Sequence, residues 1–474
     1  MKEKKIAGNK TLWIFAVGQL GWSILSGIIA NWLVYFFQPS SQELANGQQT
    51  FIPQGTFLGL TVIGLITAFG RIFDAVTDPL IAGKSDSCTH RLGRRIPFMR
   101  FAAIPFGLVT VLMFCSPVKG ESAVNTVCLF LCAMLFYLCM TCYCTPYNAL
   151  IPELGRTQDA RINLSTFISV TYFFGTAVAY LVPNIAGMFM GAAGYAGSYR
   201  ITIGILAVIA VICMLIPAFL IDEHTYADTT PSKASAFSSL IATFKNKDFR
   251  IFVCSDILYW IGLTLFQTGL PFYITVLMGL NESMTFPLFA VMTVLSLVCY
   301  PVVNIVSKKI GKKKLIAFAF GFFSLAFLVT AFAGKTPIPP LVYGVIIAAL
   351  AAVPMAILGI LPQAVVADIS EEDQLSTGES RQGMFYAART FAFKLGQSAA
   401  MLLFTSIAVI GRDTPKGEAG YGLGYRLTAG LAVVLCLLGG IVFLRYNEKK
   451  VLANIGANKV APMDQKWGSA PHPA

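Results

Sequence analysis

The sequence predicts an all-α membrane protein with twelve transmembrane helices in two six-helix bundles. Its composition argues against a soluble protein, because 56% of the 474 residues are hydrophobic and only 12% are charged, whereas soluble domains carry about 25% charged residues. Its apolar segments are long enough to span a bilayer as helices. A polar stretch near the middle of the chain separates the first six segments from the last six.

Twelve apolar segments account for the predicted helices, since a membrane-spanning helix needs about 20 mostly apolar residues. The segments lie at 11–37, 57–83, 97–117, 124–150, 163–186, 200–221, 250–279, 285–307, 313–333, 337–362, 384–410 and 423–444. The first segment follows a basic N-terminus without a small-residue cleavage site, so we interpret it as an uncleaved helix.

The basic residues predict the orientation of these helices. Lys and Arg concentrate in alternate loops, chiefly 84–96, the loop after the fourth helix, 307–314 and the start of the tail. Because cytoplasmic loops carry the excess of Lys and Arg, we expect both termini in the cytoplasm of a bacterial cell, with the chain in its inner membrane. The loop 411–426, with three basic residues outside, is an exception. These loops explain the net charge of +12 without nucleic-acid binding.

The chain divides into four predicted regions. These are an N-terminal bundle at 1–221, a cytoplasmic linker at 222–249, a C-terminal bundle at 250–450 and a disordered cytoplasmic tail at 451–474. The two bundles repeat one motif, because RLGRR at 91–95 follows the second helix and KIGKK at 309–313 follows the eighth. Repeated bundles of this kind hold a substrate cavity between them, near the middle of the membrane.

Two carboxylates interrupt the apolar second helix. Asp74 and Asp78 are four residues apart, which puts them on one helix face, and Arg71 precedes them by one turn. Charges at membrane depth are costly and mark ion or substrate pathways. With the Thr77 hydroxyl and a backbone carbonyl freed near Pro79, the pair offers ligands for Na⁺ or a proton. The alternative is a buried ion-pair network with Arg71 that only locks helices together.

The eleventh helix carries a lysine that needs a partner. Lys394 lies in a largely apolar segment with Arg389 and Thr390. We expect its partner to be the carboxylates of the second helix, across the central cavity, or an anionic group of a solute. The alternative is that its long side chain reaches the membrane surface. On the fourth helix, Thr141 and Asn148 are polar candidates for the cavity wall.

A charged loop after the second helix predicts a gate rather than a substrate site. Asp86 is followed there by several arginines, namely Arg91, Arg94 and Arg95. Their charge-assisted hydrogen bonds can hold two helix ends together in one state and release them in another.

The remaining charged and sulfur-containing residues form no catalytic pattern. Asp256 in the seventh helix is expected at the membrane interface. The acidic segment 368–373 is expected to be a solvated loop, and the alternative is that it pairs with the basic loops when the inner gate closes. Nearly all of the 11 cysteines lie in apolar segments, which favours a packing role over disulfides or a metal site. Motifs of hydrolases, ATPases and metalloproteases are missing. We therefore predict that the chain is not an enzyme.

Two stretches of the chain match a pattern of membrane carriers. One is RIFDAVTDPLIAGKSD with RLGRRIPF, and the other is ADIS with TGESRQGMFYAARTFAFKLG. They resemble the glycoside–pentoside–hexuronide:cation symporters of the major facilitator superfamily, and the resemblance covers all twelve helices. It implies the major facilitator fold and a coupling cation, Na⁺, Li⁺ or H⁺, with no other cofactor. It also implies that Asp74, Asp78, Thr77 and Thr141 bind this cation, with Lys394 between cation and solute.

The chain departs from this family at the solute positions. Family members that hold a galactoside use a helix-one aspartate, a helix-four aspartate and tryptophan, and a helix-five arginine. Matching without gaps places Ser23, Cys144, Asn148 and Ser169 at those positions. Small or neutral groups thus replace charged ones, so cation coupling is expected to remain and galactoside recognition is not.

We therefore predict a symporter that uses a cation gradient to import a small solute by alternating access. The solute is expected to be a glycoside, pentoside or hexuronide, bound by Lys394, Thr390 and the four substituted positions. The protein is expected to act as a monomer in the lipid bilayer. Two alternatives stay open, namely a cation-coupled transporter of a more apolar or lipid-like solute and a non-transporting receptor of the same fold.

Overall fold

A computed structural model describes residues 5–45, 47–57, 59–227, 243–377, 382–412, 414–418 and 420–455. Within them, a long helix lies at the place of each of the twelve predicted segments. We number these helices α1 Asn9–Phe37, α2 Val62–Asp86, α3 Ile96–Leu112, α4 Ala123–Leu154, α5 Gln158–Tyr180, α6 Met190–Leu220, α7 Lys247–Phe272, α8 Thr285–Ile310, α9 Lys312–Ala331, α10 Pro340–Thr377, α11 Gln382–Ala408 and α12 Leu423–Phe443.

Ten of the described helices are long and apolar enough to cross a membrane. The other two differ for simple reasons, because α2 carries charged residues along its length and α3 has only 17 residues. A short antiparallel pair of strands, β1 Thr56–Phe57 and β2 Leu60–Thr61, leads into α2. The predicted all-α membrane architecture is therefore the observed one.

The two halves of the molecule meet along three pairs of helices. α2 packs against α11, α1 packs against α7, and α5 packs against α8. Each pair contains one helix from the first six and one from the last six. Residues on α2 and α11 are thus brought face to face, although 316 positions of the chain separate Asp78 from Lys394.

Polar contacts join the halves on the side of the molecule where α1 ends and α2 begins, which we call the closed side. Four side-chain hydrogen bonds of 2.7–3.0 Å cross between the halves there. They join Gln38 to Thr405, Glu43 to Thr275, Gln54 to Arg412 and Tyr195 to Glu282. The ring of Tyr180 also stacks on Phe289, with centroids 4.0 Å apart.

The opposite side of the molecule shows the repeat that the two basic motifs predict. Glu223 accepts hydrogen bonds from the backbone N–H groups of Arg94 and Arg95, at 3.0 and 2.8 Å, at the start of α3. Glu448 accepts them from Lys312 and Lys313, at 2.8 and 3.0 Å, at the start of α9. A carboxylate stabilises the unpaired N–H groups and the positive end of a helix.

The glycine within each motif is required by this arrangement. Gly93 has φ +107° and Gly311 has φ +88°, which is the left-handed region that glycine tolerates best. A Cβ atom at Gly93 would collide with Glu223, and one at Gly311 would lie 2.9 Å from a carboxylate oxygen of Glu448.

Some predicted boundaries differ from the structure. The linker 222–249 begins with a short helix, Glu223–Tyr226, that packs on the first half through buried Glu223, while 228–242 lie outside the described residues. Residues 448–455 are helical at the start of the predicted disordered tail, where Val451 and Ile455 are buried. The rest of that tail lies outside the described residues.

The acidic segment 368–373 is predicted to be a loop, but it belongs to the last part of helix α10. Its residues also have partners, because Lys312 pairs with Asp368 and the Asn246 side chain donates to Asp373 at 3.1 Å. The apolar period of α10 continues through this segment, with Ile369 fully buried, so the helix extends beyond the span that hydropathy alone indicates.

Candidate functional site

The two carboxylates of α2 lie where this helix meets α4 and α11. α2 begins at Thr61, whose hydroxyl accepts a hydrogen bond from the Gly64 N–H at 3.2 Å. From there the helical spacing carries Asp74 and Asp78 to one face, as predicted. The Asp74 side chain is completely buried, whereas a quarter of the Asp78 side chain is exposed. Asp78 is therefore the more accessible of the two carboxylates.

Lys394 of α11 lies between the two carboxylates. Its Nζ atom is 2.8 Å from Asp74 Oδ2 and 2.6 Å from Asp78 Oδ2. The carboxylates of α2 are one of the two partners that the sequence predicts for Lys394. The alternative, in which the lysine side chain reaches the membrane surface, does not occur. The ion pairs cross from the second half of the molecule to the first. These ion pairs therefore link the two halves through charged side chains.

Threonine hydroxyls complete the surroundings of the carboxylates. Thr141 Oγ1 donates to Asp74 Oδ1 at 2.8 Å and lies 3.3 Å from Thr77 Oγ1. Thr145 Oγ1 donates to Asp78 Oδ1 at 3.1 Å. The structure thus brings together all four residues predicted for the cation.

Thr145 is a site residue that the sequence reasoning missed. A signal was available, because Thr141 and Thr145 repeat the four-residue spacing of Asp74 and Asp78 on the facing helix. Two matched pairs on neighbouring helices are expected to meet when those helices pack in register.

The arrangement suits a small hard cation or a proton. Hard cations prefer oxygen ligands, and the site offers two carboxylates and several hydroxyls. Groups of three or more His, Cys, Asp or Glu side chains, which a transition metal would need, do not occur in the part of the chain that the structure describes. Asp74, Asp78 and Lys394 together carry one net negative charge, which attracts a cation.

Arg71 does not lock the carboxylates. Its guanidinium lies over the ring of Tyr137, 5.3 Å from the centroid, and it takes part in none of the ion pairs among the described residues. The alternative of a structural network around Arg71 is therefore not what the described side chains form.

The predicted solute residues lie on four helices. Cys144 lies on α4 and is half-buried, whereas Ser23 lies on α1, is buried and donates to the Gln19 carbonyl at 2.6 Å. Three others, Asn148, Ser169 and Thr390, lie on α4, α5 and α11.

Those three residues also differ in solvent exposure. Asn148 and Ser169 are exposed, and Thr390 is half-buried. Ser169 and Thr390 each donate to a carbonyl of their own helix, at 2.8 and 3.0 Å. Thr77 of the predicted cation site does the same, because its hydroxyl donates to the Asp74 carbonyl at 3.1 Å.

The predicted gate forms a charged cluster that includes one unexpected residue. Arg95 lies 3.6 Å from Asp86 and 2.5 Å from Glu153, and Arg94 lies 3.6 Å from Glu153. Glu153, at the end of α4, is the more buried partner, so it contributes more than the half-exposed Asp86. Arg91 contributes its backbone carbonyl, which lies 3.1 Å from the His224 ring. The cluster ties the ends of α2, α3 and α4.

A second buried ion pair lies in the other half. Arg389 donates to both carboxylate oxygens of Asp256, at 2.7 and 3.0 Å, and both side chains are almost completely buried. Asp256 is thus buried within the protein, and the paired arginine of α11 accounts for this burial, because a buried charge must be compensated by a partner. Its predicted place at the membrane interface stays a prediction.

Comparison with known proteins gives a consistent result along the chain. The family model described as MFS/sugar transport protein matches residues 14–448. A putative sulfoquinovose importer of Escherichia coli is 26% identical, with 82% of this chain and 83% of the relative covered. The sodium-dependent lysophosphatidylcholine symporter 1 of Xenopus tropicalis is 23% identical, with 81% and 80% covered. An uncharacterized symporter of a Synechocystis strain is 23% identical, with 82% and 83% covered.

Solved structures share the fold at lower sequence identity. A D-xylose-proton symporter superimposes with a TM-score of 0.66 at 14% identity, covering 94% of this chain and 98% of its own. The nucleoside transporter NupG gives a TM-score of 0.61 at 13% identity, with 93% and 99% covered. Likeness at this level of identity concerns the fold alone.

Proposed function

We propose that this chain, which belongs to the MFS/sugar transport protein family, is a symporter that couples the entry of a cation to the import of a small solute. The matched family and the structural neighbours are transporters, in agreement with the prediction that the chain is not an enzyme. The coupling cation is proposed to be Na⁺ or H⁺, with Li⁺ as a substitute. The protein is proposed to lie in a bacterial inner membrane with both termini in the cytoplasm.

One observation carries the proposal. The ammonium group of Lys394 lies against both Asp74 and Asp78, at 2.8 and 2.6 Å, and so joins the two halves at mid-helix. A bound cation needs the same carboxylate oxygens. Because Asp74 and Asp78 belong to one half and Lys394 to the other, competition for these oxygens changes the connection between the halves.

This competition supplies a mechanism for coupling. A cation that binds Asp74 and Asp78 weakens their hold on Lys394, so states in which the halves have moved apart at this level become more favourable. A ligand shifts a conformational equilibrium only through different affinities for its states. The cation has that difference here, because its site is intact only when Lys394 gives up part of its ion pairs.

The solute is proposed to be carbohydrate-like, namely a glycoside, pentoside or hexuronide. The family description and the sugar-related names of several relatives support this class. The contacts on the closed side join the halves at one end, so we assign this conformation as the one that opens toward the side of the N-terminus. Solute release toward the cytoplasm follows from that assignment.

A second candidate solute is an apolar or lipid-like molecule. It is favoured by the similarity to a sodium-dependent lysophosphatidylcholine symporter over 81% of this chain. A receptor that binds without transport is the remaining alternative. The lipid transporter and the receptor can each be distinguished from the main proposal by measuring which molecules, if any, accumulate inside a vesicle.

Uptake into proteoliposomes tests the proposal. Labelled glycosides, pentosides, hexuronides and lysophospholipids are offered under an inward gradient of Na⁺, Li⁺ or H⁺, with equal cation on both sides as the baseline. We expect one carbohydrate class to accumulate only when a cation gradient is present. Accumulation of lysophospholipid alone would favour the second candidate, and binding without accumulation would favour a receptor.

A further inference from the structure

Arg71 is a positive charge beside the two carboxylates of α2, and no carboxylate of the described residues pairs with it. It lies one turn from Asp74 on α2 and is half-buried. Among the described residues it forms no ion pair within 4.0 Å, and its Nε atom is buried without a hydrogen-bond partner. A charge at membrane depth is expensive. Its guanidinium lies over the face of Tyr137, 5.3 Å from the ring centroid, and this contact compensates such a charge in part.

Lys394 cannot play the same role for a solute, because both carboxylates already occupy its ammonium group. It is 12% exposed and lies within 2.8 Å of two anionic oxygens. An anionic solute at Lys394 would have to approach Asp74 and Asp78 as well, and their negative charges would repel it. The guanidinium of Arg71 has no such competitor among the described side chains.

The charges of the site also favour an anion at Arg71. The four groups Asp74, Asp78, Lys394 and Arg71 sum to zero. A monovalent cation bound to the carboxylates raises the sum to +1. A solute with one negative charge near Arg71 restores neutrality, whereas a neutral solute leaves a net charge in a low-dielectric site. The cation and an anionic solute therefore increase each other's affinity, and this effect is reciprocal.

Aromatic side chains of the same half as Arg71 suit a ring-shaped polar molecule. Tyr137 lies 5.3 Å from the Arg71 guanidinium, and Tyr172 is 47% exposed. Trp22 lies 6.4 Å from Tyr172 between ring centroids, and its Nε1 atom is buried without a partner in the described residues. Aromatic faces pack against the apolar face of a sugar ring, and an unpaired indole N–H donates to a hydroxyl or to an anionic oxygen.

Trp260 presents the same combination from the second half. Its Nε1 atom is also buried without a hydrogen-bond partner among the described groups, and its ring stacks on Phe393 with centroids 4.4 Å apart. Phe393 directly precedes Lys394. One tryptophan in each half therefore has an indole N–H without a partner among the described groups.

We propose that Arg71 recognises a negatively charged group of the solute, and that the solute is a sugar carrying one carboxylate or sulfonate. This inference rests on the proposed symport function and specifies its solute. Arg71 binds the anion through paired N–H donors, which match the oxygens of a carboxylate or sulfonate. Lys394 and the carboxylates remain the cation site.

Equilibrium binding tests the role of Arg71 without requiring transport. The full-length protein in lipid nanodiscs is titrated with two matched pairs of sugars in Na⁺ and in choline buffer. The pairs are methyl β-D-glucuronide against methyl β-D-glucoside, and 6-deoxy-6-sulfoglucose against glucose. We expect the wild type to prefer the anionic member of each pair, and Na⁺ to strengthen that preference.

Substitution of Arg71 identifies the group responsible. Arg71→Gln is expected to lose about 10- to 100-fold in affinity for the anionic sugar, the range for a hydrogen bond to a charged group, with little change for the neutral one. Arg71→Lys should restore part of the loss. Arg100→Gln is the matched control, because Arg100 also lies over a ring, that of Phe219 at 4.0 Å, but on α3.

Each outcome of this experiment decides the inference. Preference for the neutral sugars, binding of none of the four sugars, or an anion preference that survives Arg71→Gln would overturn it. Anion-selective binding that depends on Arg71 but never leads to accumulation under a cation gradient would support the role of Arg71 and reject the proposed symport function. The two proposals can therefore fail separately.

Discussion

The Nζ atom of Lys394 lies 2.6 Å from Asp78 Oδ2, and this contact joins residues 316 positions apart in the chain. Asp78 belongs to a helix of the first half and Lys394 to a helix of the second. An ion pair placed in this way has two effects at once, since it stabilises a buried charge and ties the two halves together. Removing either partner is therefore expected to affect cation binding and movement of the halves together.

Asp78→Asn should abolish cation-stimulated uptake. The substitution keeps the size and the hydrogen bond from Thr145 but removes one of the two charges that hold a cation. We expect at least about a 100-fold loss of the stimulation, because a monovalent cation loses a Coulomb partner at contact distance in a partly dry site. Uptake into proteoliposomes with and without a cation gradient measures this effect.

A control for Asp78 is available on α5. Asp159→Asn removes a carboxylate from the exposed first turn of that helix and should leave coupling intact. Cation-stimulated uptake that persists in Asp78→Asn, in a protein with normal thermal unfolding, would show that Asp78 is not part of the cation site.

Lys394→Met should tighten cation binding while it impairs transport. The ammonium group competes for the oxygens that a cation needs, so its removal is expected to lower the half-saturating cation concentration about 10-fold or more. Thermal stability measured against Na⁺ concentration reports this change. Uptake should fall, because the carboxylates lose their link to the other half.

Lys312→Met serves as the comparison for Lys394, because Lys312 pairs with Asp368 within the second half. It should leave the cation dependence of stability unchanged. Equal cation affinity in Lys394→Met and the wild type would contradict the proposed competition.

Thr145→Val should weaken cation binding moderately. Valine has nearly the same shape as threonine but cannot donate to Asp78 Oδ1, which Thr145 reaches at 3.1 Å. A single hydrogen bond contributes about 0.5–1.5 kcal/mol, so we expect a 2- to 10-fold higher half-saturating cation concentration. Thr126→Val on the same helix is the control, because that hydroxyl donates to the Ser122 carbonyl instead. If the two variants respond identically to the cation, Thr145 does not contribute to cation binding.

Asp256→Asn should destabilise the protein without changing the identity of the coupling cation. The substitution leaves Arg389 without the carboxylate that it contacts at 2.7 and 3.0 Å. Breaking a buried ion pair costs about 3–5 kcal/mol, whereas replacing both partners by apolar residues is often nearly neutral. The thermal unfolding temperature should therefore fall sharply in Asp256→Asn and recover in the double variant Asp256→Leu, Arg389→Met. Failure of the double variant to recover would indicate a role beyond the pair.

Local signals in the sequence determined most of the architecture. The length and hydropathy of the twelve segments predict the helices, since a bilayer leaves a chain little choice other than to satisfy its backbone within each helix. The spacing of Asp74 and Asp78 places them on one face for the same local reason. The repeated motifs RLGRR and KIGKK indicate two related halves, which the equivalent caps by Glu223 and Glu448 support.

Tertiary packing decided which charges meet. Arg71 and Lys394 are both basic residues in apolar segments, yet Lys394 receives two carboxylates and Arg71 receives an aromatic face. Asp256 was expected at the interface and lies buried beside Arg389 for the same reason. Hydropathy and spacing report where a residue lies along its own helix, but the register between helices depends on the shapes and charges of residues far away in the chain. The partner of a buried charge is therefore set by the assembled bundle, and in this protein that choice separates the proposed cation site from the proposed anion-binding residue.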